Sequence, residues 1–313
     1  MSDFRRAFTM IELLFVIVIL GIIGGIAMET IRQYYEGIFR TQTYTQRVNE
    51  ADHILDQLGK YFENAIDLSI VNMDDDAADN ALNGTCIDVP SENNGSHDYT
   101  TTFVGVDVDS LRNAGRPGWS ERVTLPTSTS LISNDANFTA ANNIITALYP
   151  VSNLRGSAIY NADAVDTNTC AHYYTNNGNA YYTIPATWIV NDHNLSLTDN
   201  YVNSGHAYSS GQTTDKKYLL RTGYAFRVLN TGEFRMYYNF RPWRGETYNN
   251  GTNSTLGQNV ASFYADFNNT NYFNTRGTIW RLKVCMRGLD SNLSSSDTAV
   301  QEICRERKVH VRY

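Results

Sequence analysis

The sequence predicts an α+β protein: one long N-terminal helix, then antiparallel strands gathered toward the C-terminus. Three observations carry this. No proline interrupts Phe8 to Ile66, a stretch that is first apolar and then striped at helical spacing. From Tyr218 onward apolar and polar residues alternate in short runs separated by turn residues. Between the two lies a polar tract with only weak strand patterning. Helix and strands are thus segregated along the chain, which is the arrangement of α+β proteins.

From Phe8 to Met28 the only charged residue is Glu12. About 20 mostly apolar residues suffice to span a bilayer, so this segment reads as a transmembrane helix. Its carboxylate needs an explanation, because charges inside a membrane are costly and usually mark function. Arg5 and Arg6 precede the run and the next charge is Glu29, which orients the N-terminus toward the cytoplasm. A secretory signal peptide would have a shorter core and a small-residue cleavage site after it. Here Gly25-Ile26-Ala27-Met28-Glu29-Thr30 follows, a poor site, and then more helix.

Beyond Glu29 the helix continues in water to about Ile66. Val48, Ala51, Leu55, Leu58, Phe62 and Ala65 form one stripe, with Gln46, Asn49, Asp52, Asp56, Gln57 and Lys60 on the other face. Gly21, Gly24 and Gly25 fall mid-membrane, compatible with local melting or with close helix packing. From Val71 to Lys217 strand-like runs occur at Thr102–Val108, Arg122–Leu125, Ile144–Tyr149 and Tyr181–Val190, among turn-rich tracts. Asp74-Asp75-Asp76 and Asp79 lack the alternating spacing and glycine of a calcium loop, and a solvated loop is expected.

The C-terminal strands are clearer. Tyr218–Leu229 and Glu233–Phe240 flank Asn230-Thr231-Gly232, a hairpin loop. Val260–Phe267 is a further strand. Trp280, Leu282, Val284 and Met286 alternate with Arg281, Lys283, Cys285 and Arg287; Ile303, Val309 and Val311 lie opposite Cys304, Glu306, Lys308 and His310. Arg305 and Arg307 fall on the supposed inner face and break that pattern. If Cys285 faces Cys304 in an antiparallel pair, Lys283 faces Glu306 and Arg287 faces Glu302, while Arg281 meets Lys308, a like charge. This register favours a Cys285–Cys304 disulfide; Cys86–Cys170 follows by elimination, free thiols being the alternative.

The 313 residues carry a net charge of −7, which argues against nucleic-acid binding. The Asn-, Ser-, Thr- and Tyr-rich composition and the four cysteines fit an exported protein in an oxidising compartment. His53, His97, His172, His193, His206 and His310 form no His-x-x-x-His pair, and neither a nucleophile elbow nor a phosphate loop occurs. No enzyme, cofactor or metal site is expected. Five Asn-x-Ser/Thr sites carry an acid two residues earlier: Asn94, Asn137, Asn194, Asn268 and Asn292. They resemble the extended acceptor motif of bacterial periplasmic N-glycosylation.

Arg6-Ala7-Phe8-Thr9-Met10-Ile11-Glu12-Leu13-Leu14 resembles the prepilin motif of type IV pilins and type II secretion pseudopilins. The resemblance implies a pilin-like fold, in which the lower half of the helix lies in the membrane and the upper half packs on an antiparallel sheet. It implies cleavage between Ala7 and Phe8 by a prepilin peptidase, with methylation of Phe8; alanine stands where glycine is usual at position 7. It implies that Glu12 serves assembly, its carboxylate neutralising the Phe8 ammonium of a neighbouring subunit. Implied partners are other pilin or pseudopilin subunits, an inner-membrane assembly platform and membrane lipid. The chain would cross the inner membrane once, with its globular part in the periplasm. From Gly232 onward, including the Val-x-x-Phe strand at Val260 and Phe263, the tail is similar to the larger minor pilins of the PilW type. The expected divisions are a leader at 1–7, a transmembrane helix at 8–28, its periplasmic continuation at 29–66, a loop-rich insertion at 67–217 and a C-terminal antiparallel sheet at 218–313. A surface adhesin and a membrane-anchored envelope protein outside any filament are the alternatives.

Overall fold

The protein is described by a computed structural model covering residues 10–74, 86–87, 99–108, 123–127, 130–148, 156–161, 183–197, 213–214, 217–267, 279–288 and 302–311. Helix α1 runs unbroken from Met10 to Phe62, about 80 Å at the usual rise. Its lower part is exposed, and its upper part buries Ala51, Ile54, Leu55, Leu58, Gly59 and Phe62. Sequence spacing locates this stripe but omits Ile54 and extends the helix to Ile66. The helix ends earlier because its exit pairs with a strand. The Ile66 N–H donates to the Val104 carbonyl at 2.9 Å, and the Val106 N–H donates to the Asn64 carbonyl at 2.9 Å. A 3-10 turn at Asp67–Ser69 then leads into the sheet.

The strands, in order, are β1 (Val71–Asp74), β2 (Cys86–Ile87), β3 (Tyr99–Val106), β4 (Val123–Thr127), β5 (Ser130–Ile132), β6 (Ala158–Asn161), β7 (Thr183–Asn191), β8 (Asn194–Leu197), β9 (Thr213–Thr214), β10 (Lys217–Val228), β11 (Phe234–Phe240), β12 (Thr252–Gly257), β13 (Val260–Phe267), β14 (Ile279–Met286) and β15 (Ile303–His310); helix α2 spans Phe138–Leu148. Among the described residues they form a large sheet in the order β2-β1-β3-β10-β6-β7-β8-β5-β4-β9, with β11 on β10 and β12 on β11, and a small sheet β13-β14-β15. β10 is the hub. It pairs antiparallel with β3, β6 and β11, so the expected boundary between an insertion and a C-terminal sheet at 217/218 is crossed by continuous strand pairing. Where a strand is expected at Ile144–Tyr149, residues 144–148 are instead the second half of α2, and Tyr149 lies outside the described residues. There Phe138, Ala141 and Ile145 are buried at helical spacing, and the Asn137 side chain caps the helix by accepting from the Ala140 N–H at 2.8 Å.

The main core lies between α1 and both sheets. Phe62 sits at its centre, fully buried, with ring centroids 4.7 Å from Phe103, 5.9 Å from Phe226 and 6.4 Å from Trp280. Phe234 and Phe263 extend the cluster, 5.1 Å apart. The buried Trp280 indole N–H donates to the Asp67 carboxylate at 2.7 Å, tying the small sheet to the helix exit. Gly257 lets β12 approach the helix, for a Cβ there would lie 2.5 Å from the Ile54 Cδ1. At the β10–β11 hairpin Gly232 takes φ +83°, a left-handed conformation that favours glycine. A second core packs α2 on β4, β5, β6, β8 and β10 through Phe138, Ile145, Val123, Leu131, Leu195 and Leu219.

The β14–β15 register pairs Cys285 with Cys304, Lys283 with Glu306 and Arg281 with Lys308, as reasoned from the sequence. Arg305 and Arg307 do face the helix, and they are accommodated there by its acids. Arg305 Nε donates to Asp52 Oδ1 at 3.0 Å, and Arg307 pairs with Asp56. The two ladders match in pitch: four helical residues rise about 6 Å and two strand residues about 6.7 Å. All four side chains are half exposed, so these pairs fix alignment more than they add stability.

Candidate functional site

The candidate site is the bare end of α1. Met10 to Met28 is apolar apart from Glu12, and its large side chains are exposed, from Met10 at 90 % to Val16 at 46 %. The helix is long and apolar enough to cross a membrane, and none of its most apolar window is buried inside the fold. Glu12 stands in the first turn of α1, where a carboxylate also complements the helix dipole. Ala7 and Phe8, the expected cleavage pair, lie outside the described residues.

Above the span the polar face is organised by an ion-pair ladder that spacing arguments had not singled out. Arg32 pairs with Glu29 at 2.7 Å and with Glu36 at 2.9 Å. Gln33 adds a hydrogen bond to Glu29 at 3.0 Å. The i,i+3 and i,i+4 spacing of Glu29, Arg32 and Glu36 was the legible signal. Tyr34 and Tyr35 stand beside this ladder with rings edge to face, 6.2 Å between centroids.

The remaining expected site residues scatter over the globular part. Cys285 and Cys304 are joined in a disulfide between β14 and β15. Glu302 lies close enough to both sulfurs to suggest a metal group, but disulfide sulfurs are not thiolates and do not ligate as such. Cys86 lies in β2 opposite Met73; its expected partner Cys170 lies outside the described residues. Asn137 is the cap of α2. Asn194 lies in β8, where its carbonyl accepts from the Ser130 hydroxyl at 3.0 Å. These two acceptor motifs adjoin, since the Phe138 N–H donates to the Asp192 carbonyl at 2.8 Å. Asn94, Asn268 and Asn292 lie outside the described residues.

An exposed apolar helix with one acid in its first turn, on an antiparallel α+β body, fits a protein anchored in a membrane by its N-terminus. Residues 4–28 match the family model described as the prokaryotic N-terminal methylation motif. The match covers 25 of the 313 residues and supports a type IV pilin-like N-terminus. The motif implies processing by a prepilin peptidase and assembly with other pilins. No curated protein and no solved structure matches the chain.

Proposed function

We propose that this protein is a minor pilin or pseudopilin, a non-enzymatic subunit that initiates or caps a type IV pilus or a type II secretion pseudopilus. The mature chain would begin at a methylated Phe8 and wait in the inner membrane with its globular part in the periplasm. The assembly platform and neighbouring subunits would then draw it into the filament. The observation that carries this reading is Glu12, a lone carboxylate in the first turn of an otherwise apolar, uncovered helix. Alone in hydrocarbon it is costly; beside the ammonium of a neighbouring N-terminus it is neutralised. A body larger than one helix and one small sheet favours a low-copy subunit over the main repeating one.

Glu12→Ala provides the test. The expected result is normal cleavage, read as a mature N-terminus at Phe8, with incorporation into filaments reduced at least about tenfold, the factor for 1.4 kcal/mol of lost pairing. Incorporation at the normal level would refute the assembly role of Glu12.

A further inference from the structure

Glu12 and Glu29 bracket the apolar span, and the distance between them is too short for the membrane. Along the helix they stand about 25 Å apart, whereas the hydrocarbon layer is about 30 Å thick. An upright helix therefore cannot hold both carboxylates outside the hydrocarbon, and tilting shortens the span further. One of them must approach it. Among the described residues Glu12 has no ion pair, while Glu29 is tied to Arg32, which is tied in turn to Glu36. A paired charge tolerates the boundary better than a lone one, and Arg32 bridges Glu29 below it to Glu36 above it.

With Glu12 at the inner boundary, the outer boundary falls at about Arg32. Tyr34 and Tyr35 then stand about 33–35 Å above Glu12, inside the interfacial layer that ends about 36 Å up. Among the described residues both rings stand clear of the globular part, 66 % and 56 % exposed. An aromatic ring with a polar tip is the side chain enriched at that depth.

We propose that Tyr34 and Tyr35 form a lipid-interface belt that seats the unassembled subunit with Glu12 at the inner headgroup boundary rather than within the hydrocarbon. The occupant of this helix face is the phospholipid interface of the outer leaflet, continuous with the membrane span below it. The inference rests on the reading that α1 anchors the chain in a bilayer. Seated this way, Glu12 stays at the hydrated headgroup boundary until a partner's ammonium reaches it.

The test uses the full chain carrying Tyr35→Trp in vesicles of phosphatidylethanolamine and phosphatidylglycerol. The unsubstituted chain, which carries four tryptophans of its own, supplies the background to be subtracted. Thr45→Trp, about 15 Å further up the helix, is the aqueous control. Bromine near the top of the acyl chain should quench Tyr35→Trp at least about twofold more than bromine near its end, as an interfacial ring requires. Iodide should quench it at least about threefold less than Thr45→Trp, because the interface excludes the anion. Adding Tyr34→Ser to a Tyr35→Ser chain labelled by Leu14→Trp should let the helix sink and raise quenching of the label by deep bromine.

Equal iodide quenching at Tyr35→Trp and Thr45→Trp would overturn the belt, as would an unmoved Leu14→Trp label. Iodide protection that disappears on dilution with lipid would assign the face to a second copy of the chain instead. Failure of the chain to float with vesicles would overturn the anchoring itself, a result distinct from flotation with an exposed belt.

Discussion

Replacing Phe62 by alanine removes the side chain on which the helix-to-sheet joint is built. Phe62 is fully buried and is packed between Phe103, Phe226 and Trp280. Deleting a buried phenylalanine side chain costs about 3–5 kcal/mol, and more where the surroundings cannot collapse. Here they are rings fixed on strands of two sheets, so the cost should fall in the upper half of that range. The lost edge-to-face contact with Phe103 accounts for about 0.5–1.5 kcal/mol of it. At roughly 2–4 °C per kcal/mol for a domain of this size, the melting temperature should drop by about 8–20 °C. Near-ultraviolet circular dichroism of the full chain in detergent reads the transition, and the half-buried Val48→Ala serves as the control. Phe62→Leu, which keeps most of the volume, should cost under about 1.5 kcal/mol. A fall below about 3 °C for Phe62→Ala, or one no larger than that of Val48→Ala, would refute the assignment of Phe62 as the keystone.

Two further outcomes are expected. Cys285→Ser with Cys304→Ser opens a loop of sequence separation 19 and should lower unfolding free energy by about 3 kcal/mol, read by denaturant titration, with reducing agent reproducing the effect on the parent chain. Hydrogen bonds from Arg235 and then from the Thr255 hydroxyl hold the Glu233 carboxyl below the ordinary value. A depressed carboxyl adds stability that is fully present above its unfolded pKa and is lost as pH falls through the folded one. The β11–β12 edge should therefore loosen only below the usual carboxylate range. Carboxyl-carbon NMR should show Glu233 titrating below other exposed glutamates, and Arg235→Gln should move it back toward them.

Much of the fold was legible because its patterns are local. The β10–β11 and β13–β15 strands follow from period-two alternation, and the Cys285–Cys304 register follows from matching charges on two eight-residue strands. The same reasoning misread Ile144–Tyr149, because a short apolar run does not distinguish strand from buried helix. The cap at Asn137 and the spacing of Phe138, Ala141 and Ile145 held the better signal. Arg305 and Arg307 looked like errors in a strand pattern, since their partners Asp52 and Asp56 lie far away in sequence. Only packing reveals that an apolar stripe and an acid ladder occupy neighbouring faces of one helix.

The N-terminal segment is the part that sequence alone determined. A membrane span, its single carboxylate and a processing motif are properties of consecutive residues, and solvation of a lone helix depends on little else. Tertiary structure decided what the upper helix is worth. It sets Phe62 among the rings of two sheets, carries β3 and β6 into pairing with β10, and leaves Tyr34 and Tyr35 exposed. Those outcomes depend on which surfaces meet across long separations, where loop closure and packing act together and no local pattern records the answer.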